Sequence, residues 1–257
     1  MTPASRVLEI GTGTGLLAMM AARAGAAAVV TCEVVPAIAE KAVEIVARNG
    51  YANRIRVIAK PSDRLDAEAD MGGRADILVS EIVSNNFLSE GVLPAHERAV
   101  RDLLKPGARV MPARGKVRVA LAHDSGETRS LAQIAGFDLS ANELAQPIRR
   151  IIVGDGQLAL RSDPADLFVF DLASARYCAP AQASVACRST GGDVNGIAQW
   201  IALELDEATH YENRPGVAVK SNWAAVFHAF QHSIHTVPGQ ELRIYGAHDR
   251  EQLTIWI

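Results

Sequence analysis

Glu81 and Glu90 stand nine positions apart, with the uncharged stretch Ile-Val-Ser-Asn-Asn-Phe-Leu-Ser between them, just beyond the apolar run Ile77-Leu78-Val79. Two carboxylates in one loop can clamp one cation. A guanidinium suits such a clamp, because its five donors form a planar fork that pairs bidentately with carboxylates. Upstream lies Glu9-Ile10-Gly11-Thr12-Gly13-Thr14-Gly15. A glycine turn between a strand and a helix lets the backbone approach a ligand, and it aims the free N–H groups of the helix start at negative charge. A nucleotide-like cofactor beside a cation clamp points to group transfer onto a guanidinium.

The elements that must position these residues alternate. Residues 6–10 read as a short buried strand, Gly15 to Ala24 as a helix within an apolar stretch read as buried, and Ala28 to Glu33 as a second strand. Pro36 to Asn49 has helical spacing and stops at Asn49-Gly50, and Ile55 to Ile58 begins another strand. Residues 75–80 give a fourth strand, Pro94 to Leu104 a helix, and Pro106-Gly107 a turn into Ala108-Arg109-Val110. This order specifies an α/β fold, a doubly wound Rossmann-like parallel sheet with helices on both faces. After Pro112 the period changes to two, in Lys116–Leu121, Leu167–Leu172, Ala198–Leu205, Ala224–Phe230, Leu242–Tyr245 and Leu253–Ile257. The expected division is residues 1–112 as a cofactor-binding domain and residues 113–257 as a β-rich, barrel-like or sandwich domain for substrate, with a less regular stretch near 124–150.

Composition removes several classes of function. The chain has 257 residues, 49% of them hydrophobic, and a net charge of −3 without a Lys/Arg run, so no nucleic-acid partner is expected. No apolar run approaches the roughly 20 residues that span a bilayer, so no membrane partner is expected either. The three cysteines are odd in number and lack a CxxC spacing, which fits a reducing cytoplasm and neither a disulfide framework nor a zinc site. Cys32 reads as a small buried hydrophobe. His228, His232 and His235 fall in or just after a strand-like run and do not share one face, so no metal is expected. Trp200 and Trp256, in apolar alternating strands, read as core.

The glycine spacing narrows the cofactor. A dinucleotide fingerprint is G-x-G-x-x-G, whereas Gly11, Gly13 and Gly15 form G-x-G-x-G behind Glu9, a compact form common among S-adenosylmethionine-dependent methyltransferases. Glu33 closes the second strand, where an acid can take both ribose hydroxyls. Ser62 and Asp63, on the exit of the third strand, can contact adenine, with Asp63 accepting from the exocyclic amine. The expected cofactor set is Glu9, Gly11, Thr12, Gly13, Gly15, Leu16, Glu33, Ser62 and Asp63.

Taken in order, Val7-Leu8-Glu9-Ile10-Gly11-Thr12-Gly13-Thr14-Gly15-Leu16-Leu17, Cys32-Glu33, Ser80-Glu81 to Glu90 and Leu104-Lys105-Pro106-Gly107 to Pro112 resemble the protein arginine N-methyltransferases. Asn195-Gly196-Ile197-Ala198-Gln199-Trp200 and Gly91-Val92-Leu93-Pro94 look most like the monomethylating branch. The resemblance implies Glu81 and Glu90 as substrate-clamping catalytic acids, Trp223 and Asn222 in the substrate loop, S-adenosylmethionine as cofactor, protein or peptide arginine as substrate, and a homodimer using an arm near 124–150. Where the family commonly reads Thr-His-Trp, this chain reads Ser221-Asn222-Trp223, and Asn222 cannot carry a proton. The family also has a helical segment before its first strand, and with only five residues before Arg6 that segment is expected to be missing. Two further readings stand beside this one: methylation of a small guanidino or amino compound, and a catalytically impaired, cofactor-binding interaction module.

Overall fold

The computed structural model describes residues 4–125, 133–134, 136–138, 148–151, 158–217 and 221–257. Five parallel strands, β1 (Arg6–Ile10), β2 (Ala28–Cys32), β3 (Ile55–Ile58), β4 (Ala75–Ser80) and β5 (Leu104–Met111), form a sheet in the order β3-β2-β1-β4-β5. The winding reverses between β1 and β4, and the carboxyl ends of strands flanking such a reversal open a crevice for ligands. Both motifs leave the sheet there. Ile10 is paired with Ser80, so the glycine turn and the acidic loop start side by side.

Helices α1 (Leu16–Arg23), α2 (Pro36–Arg48) and α3 (Val92–Arg98), the last continuing as a π turn over Ala99–Leu103, lie between these strands. Small residues let α1 and α2 pack closely on the sheet: Ala18, Ala21 and Ala22 of α1 and Ala39, Ala42 and Val46 of α2 are buried. Pro36 sits at the start of α2, where its fixed φ suits the first turn. The expectation of a fully buried α1 is corrected, because Leu16 and Met20 are exposed and only the alanine face packs inward. Helix α3 begins before Pro94 because Gly91, at φ 71°, turns the chain into it.

The remaining strands are β6 (Arg114–Asp124), β7 (Gln133–Ile134), β8 (Phe137–Asp138), β9 (Ile148–Ile151), β10 (Leu158–Leu160), β11 (Ala165–Asp171), β12 (Ala181–Arg188), β13 (Gly192–Glu204), β14 (His210–Glu212), β15 (Ala225–Thr236), β16 (Glu241–His248) and β17 (Leu253–Trp256). They pair antiparallel as a larger sheet along β10-β6-β13-β15-β9, with β11 on β6 and β14 on β13, a smaller sheet β12-β16-β17, and a β7-β8 pair. These sheets do not close into a barrel among the described residues. Alternation along β6 sends Val117, Val119 and Leu121 to one core and Ala120 and Ala122 to another, built around Trp200. Trp200 is fully buried, and its indole N–H donates to Glu212 Oε1 at 2.6 Å. Trp256 departs from the expected core position: it is 40% exposed and stacks on Tyr245.

The largest core cluster joins the two halves. Val83, Phe87 and Leu88 of the acidic loop, and Val92 and Leu93 of α3, pack with Val117, Phe168, Phe170, Ile197 and Ile244 of the antiparallel sheets. The acidic loop therefore belongs structurally to both halves of the molecule. The arm expected near 124–150 falls, for the most part, outside the described residues. No helix among the described residues is long and apolar enough to cross a membrane.

Candidate active site

The glycine turn is shaped by backbone bonds. The N–H groups of Gly11 and Thr12 both donate to the Cys32 carbonyl at 3.1 Å, and Gly15 N–H donates to the Thr12 carbonyl at 2.7 Å. Gly11 has φ +89°, and a Cβ there would stand 2.8 Å from Ile82 Cγ2, so only glycine lets the turn lie against the acidic loop. Gly15, at φ +81°, caps α1 and abuts Val46. The hydroxyls of Thr12 and Thr31 share a 2.6 Å hydrogen bond in the interior.

Glu33 leaves the end of β2 toward this turn. Its Oε2 accepts from Gly13 N–H at 3.2 Å and its Oε1 from Val35 N–H at 3.0 Å. A carboxylate oxygen has two lone pairs, so each keeps acceptor capacity for a ligand hydroxyl. Glu9 is buried one residue before the end of β1, and its Oε2 has no hydrogen-bond partner. Burial raises its carboxyl to about 7, against hydrogen bonds from Thr31 and Ala18, with Glu81 adding like-charge repulsion. Glu9 thus sits as a buried acid, mostly protonated below about pH 7, beneath the turn and outside the cavity wall. Cys32 behaves as expected, buried with its thiol pushed up to about 12 by desolvation.

A cavity of about 660 Å³ opens above the turn. It brings together Gly11, Gly13, Glu33, Ser62 and Asp63 with Glu81 and Glu90. Both acids of the loop are exposed to this open space, whereas a guanidinium between them would cover them. The Glu90 carboxyl is held above the usual range by partial desolvation first and by the neighbouring Glu81 second. One cavity thus carries the glycines, Glu33 and a pair of repelling carboxylates. Chemically, such an arrangement offers a cation the carboxylates and a neutral or cationic nucleoside the turn.

The loop between the acids is held from behind. Asn86 Oδ1 accepts from the backbone N–H groups of Leu88 and Ser89 and from the hydroxyls of Ser84 and Ser89. Phe87 is fully buried at φ 76°, stacked on Phe170 at 4.8 Å. Its ring fills the space over Gly115, where a Cβ would come within 2.1 Å. The Asn85 carbonyl accepts from Gln199 Nε2 at 2.9 Å, and Asn85 Oδ1 accepts from Ala224 N–H at 2.9 Å.

Several expected site residues lie elsewhere. Trp223 does not line the cavity; its indole N–H donates to the Val83 carbonyl at 2.6 Å and its ring meets Tyr211 edge-on, so it braces the acidic loop from the antiparallel side. Asn222 is exposed beside it, and Leu16 is exposed on α1. Thr12, Gly15 and Glu9 support the turn from below without forming the cavity wall. The cavity also uses Lys60, Val34, Ile82 and Pro94, none of which was singled out from the sequence. Lys60 was findable: it follows β3 at a strand end facing the crevice, and its charge is neutralised by Asp70 at 2.7 Å. His228, His232 and His235 all fall on β15, where His228 Nε2 meets Gln199 Oε1 at 3.3 Å and His235 Nδ1 meets Asp193 at 2.8 Å.

Comparison with known proteins finds similar chains among methyltransferases. Residues 1–108 match the family model of ribosomal protein L11 methyltransferase (PrmA), a match that ends within the parallel sheet. An arginine N(omega)-methyltransferase of Streptomyces achromogenes subsp. streptozoticus is 36% identical over 230 residues, covering 84% of this chain and 61% of that protein. Protein arginine N-methyltransferase 7 of Drosophila grimshawi is 37% identical over 156 residues, covering 60% of this chain and 22% of that protein. The protein of the same name from Oryza sativa subsp. japonica is 33% identical over 231 residues, covering 80% and 32%. The chain thus spans less than two thirds of the length of each. Among solved structures, a Trypanosoma brucei PRMT1 enzyme-prozyme heterotetrameric complex with AdoHcy superposes with a TM-score of 0.82 at 20% identity, covering 95% of this chain and 78% of that one. Arabidopsis thaliana protein arginine methyltransferase 10 superposes with a TM-score of 0.78 at 16% identity, over 95% and 79%. At these identities the superpositions establish a shared fold.

Proposed function

We propose that this chain is a protein arginine N-methyltransferase that moves the methyl group of S-adenosylmethionine onto an arginine guanidinium held between Glu81 and Glu90. The observation that carries the proposal is the single cavity in which the glycine turn, Glu33 and both acids meet. When bound, the cofactor would supply an electrophilic sulfonium methyl: the guanidino nitrogen forms a new N–C bond as the S–C bond breaks, and the neutral thioether S-adenosylhomocysteine and one proton are released. Gly11 and Gly13 would admit the cofactor closely, Glu33 would take ribose hydroxyls on its remaining lone pairs, and Ser62 and Asp63 would hold the base.

The difficulty of the reaction lies in the acceptor. A guanidinium is delocalised and protonated up to a pKa beyond ~12, so its nitrogens are poor nucleophiles. Glu81 and Glu90 draw positive charge onto the nitrogens they hold and leave the third richer in electrons. They also orient that nitrogen toward the turn, and either carboxylate can receive the released proton. Desolvation first and repulsion from Glu81 second hold the Glu90 carboxyl above its usual range, and a cation between the two acids would relieve the repulsion.

Glu81→Gln and Glu90→Gln should each lower turnover by roughly 100-fold or more, on the scale of losing one preorganised electrostatic contact, while S-adenosylmethionine binding measured by calorimetry stays within about twofold. Near-wild-type turnover by either variant would sink the proposal. A second reading keeps the chemistry and changes the acceptor to free arginine or another small guanidino compound. It is favoured by the name of the Streptomyces achromogenes relative, an arginine rather than a protein arginine methyltransferase, which aligns over most of this chain. Incubating the protein with methyl-labelled cofactor and lysate, then separating macromolecules from small molecules, distinguishes the two by where label appears.

A further inference from the structure

Ser80 immediately precedes Glu81 at the end of β4, and His96 lies on α3, the helix that begins just after Glu90. Ser80 Oγ and His96 Nε2 are 2.7 Å apart in the interior. His96 Nδ1 is 3.0 Å from the Leu172 carbonyl, beyond the end of β11 in the antiparallel half. A carbonyl can only accept, so Nδ1 carries the ring proton; Nε2 is then bare and accepts from the Ser80 hydroxyl. The ring is 1% exposed, and burial holds it neutral, at about 4. The adjacent Glu97 ties the same end of the helix to the antiparallel half, accepting from Cys178 N–H at 2.8 Å and from Arg250 Nη2 at 2.8 Å.

One side chain therefore links three pieces: the strand end that carries Glu81, the helix that follows Glu90, and the antiparallel sheet. We propose that His96 is a positioning residue for methyl transfer, setting the separation of Glu81 from Glu90 through its bond to Ser80. The inference rests on the reading of the two acids given above. It assigns no chemistry to the imidazole, which touches neither acid and is sealed from the cavity. A clamp tuned to a planar guanidinium needs its two carboxylates at a fixed separation, and misplacement of about 1 Å in such a site costs roughly 100-fold in rate. A bond between the segments that bear them is the shortest mechanical route to that separation.

The test uses four single variants of the full chain, Ser80→Ala, His96→Phe, His96→Asn and His96→Gln, and the double variant Ser80→Ala with His96→Phe. They are assayed with S-adenosylmethionine and, in turn, free L-arginine and an arginine-containing glycine-rich peptide. The expected result is that His96→Phe and Ser80→Ala each lower kcat for the accepted substrate by about tenfold to 100-fold and raise its KM, with the cofactor Kd unchanged. The double variant should be no worse than the poorer single one. His96→Gln can accept from Ser80 and should recover much of the rate. His96→Asn can serve only the Leu172 carbonyl and should not, a ranking that simple packing would not produce. Nitrogen-correlated NMR of wild-type His96 should show the Nδ1–H tautomer. Wild-type kcat in Ser80→Ala, multiplicative losses in the double variant, or the opposite tautomer would overturn the proposal, and Ser80→Ala decides the matter if His96→Phe does not fold. A wild-type protein inactive on both substrates would instead overturn the transfer reading, with the tautomer still reporting on the bond.

Discussion

At the scale of single residues, the site contains two acids whose protons are displaced in the same direction for related reasons. Glu9 has its carboxyl raised from 4.5 to about 7, so the folded state holds that proton more tightly than the unfolded chain. Its contribution is therefore fully present below about 4.5 and is lost as the pH rises toward 7. At ~1.36 kcal/mol per unit, the loss is at most roughly 3 kcal/mol. Glu9→Gln keeps the shape without the charge, so urea unfolding at pH 5 and pH 8 should show the variant gaining on wild type only at the higher pH. Glu90 lies above its ordinary range because of desolvation and Glu81. Because the proposed clamp needs its charge, kcat/KM for arginine should fall as the pH drops through that raised value. The acidic limb should move to lower pH in Glu81→Gln, visible in whatever activity remains. A limb that stays in place would mean that the like-charge coupling is absent.

At the scale of elements, the parts of the site that follow one another in sequence were legible and the parts that meet by packing were not. Strand, glycine turn, α1, β2 and Glu33 form one local unit, and their residue types dictate it. Glu81 and Glu90 could be singled out because an uncharged loop isolates them. That Trp223 braces Val83 instead of lining the cavity depends on a contact across 140 positions, and the Ser80 to His96 bond depends on how α3 packs. Strand β12 was missed because its inward positions are small, Ala183, Val185 and Cys187, and most of its residues are exposed. The strand-to-loop contact at Gly115 gives a direct test. A Cβ there would lie 2.1 Å from the Phe87 ring, so Gly115→Ala must displace a fully buried aromatic residue that sits between the two acids. The expected cost is about 1–3 kcal/mol of stability, as for other overpacked cores, together with reduced turnover. Cofactor binding should be affected less, because the glycine turn is shaped by its own backbone bonds to Cys32 and Thr12.

At the scale of the whole molecule, the two halves are joined by polar ties as well as by the shared core. Glu97 of α3 and Arg250, beyond β16, form a mostly buried ion pair, and Arg250 also lies over the Tyr177 ring at 4.0 Å. Arg250 Nη1 already lacks a partner, so removing the carboxylate would strand a charge at the junction. Glu97→Ala should cost about 3–5 kcal/mol, the usual penalty for breaking one side of a buried pair. Glu97→Ala with Arg250→Met should recover part of it, and equilibrium denaturation of the three variants measures the difference. The fastening of the acidic loop also bears on how the chain is made. Gln199 is synthesised 114 residues after Asn85, and Trp223 140 residues after Val83. At roughly 5–20 residues per second on the ribosome, the nascent cofactor half waits on the order of ten seconds for the strands that seat its loop. Through that interval Phe87 and Leu88 have no antiparallel sheet to cover them, and such transiently exposed apolar surface is prone to aggregation.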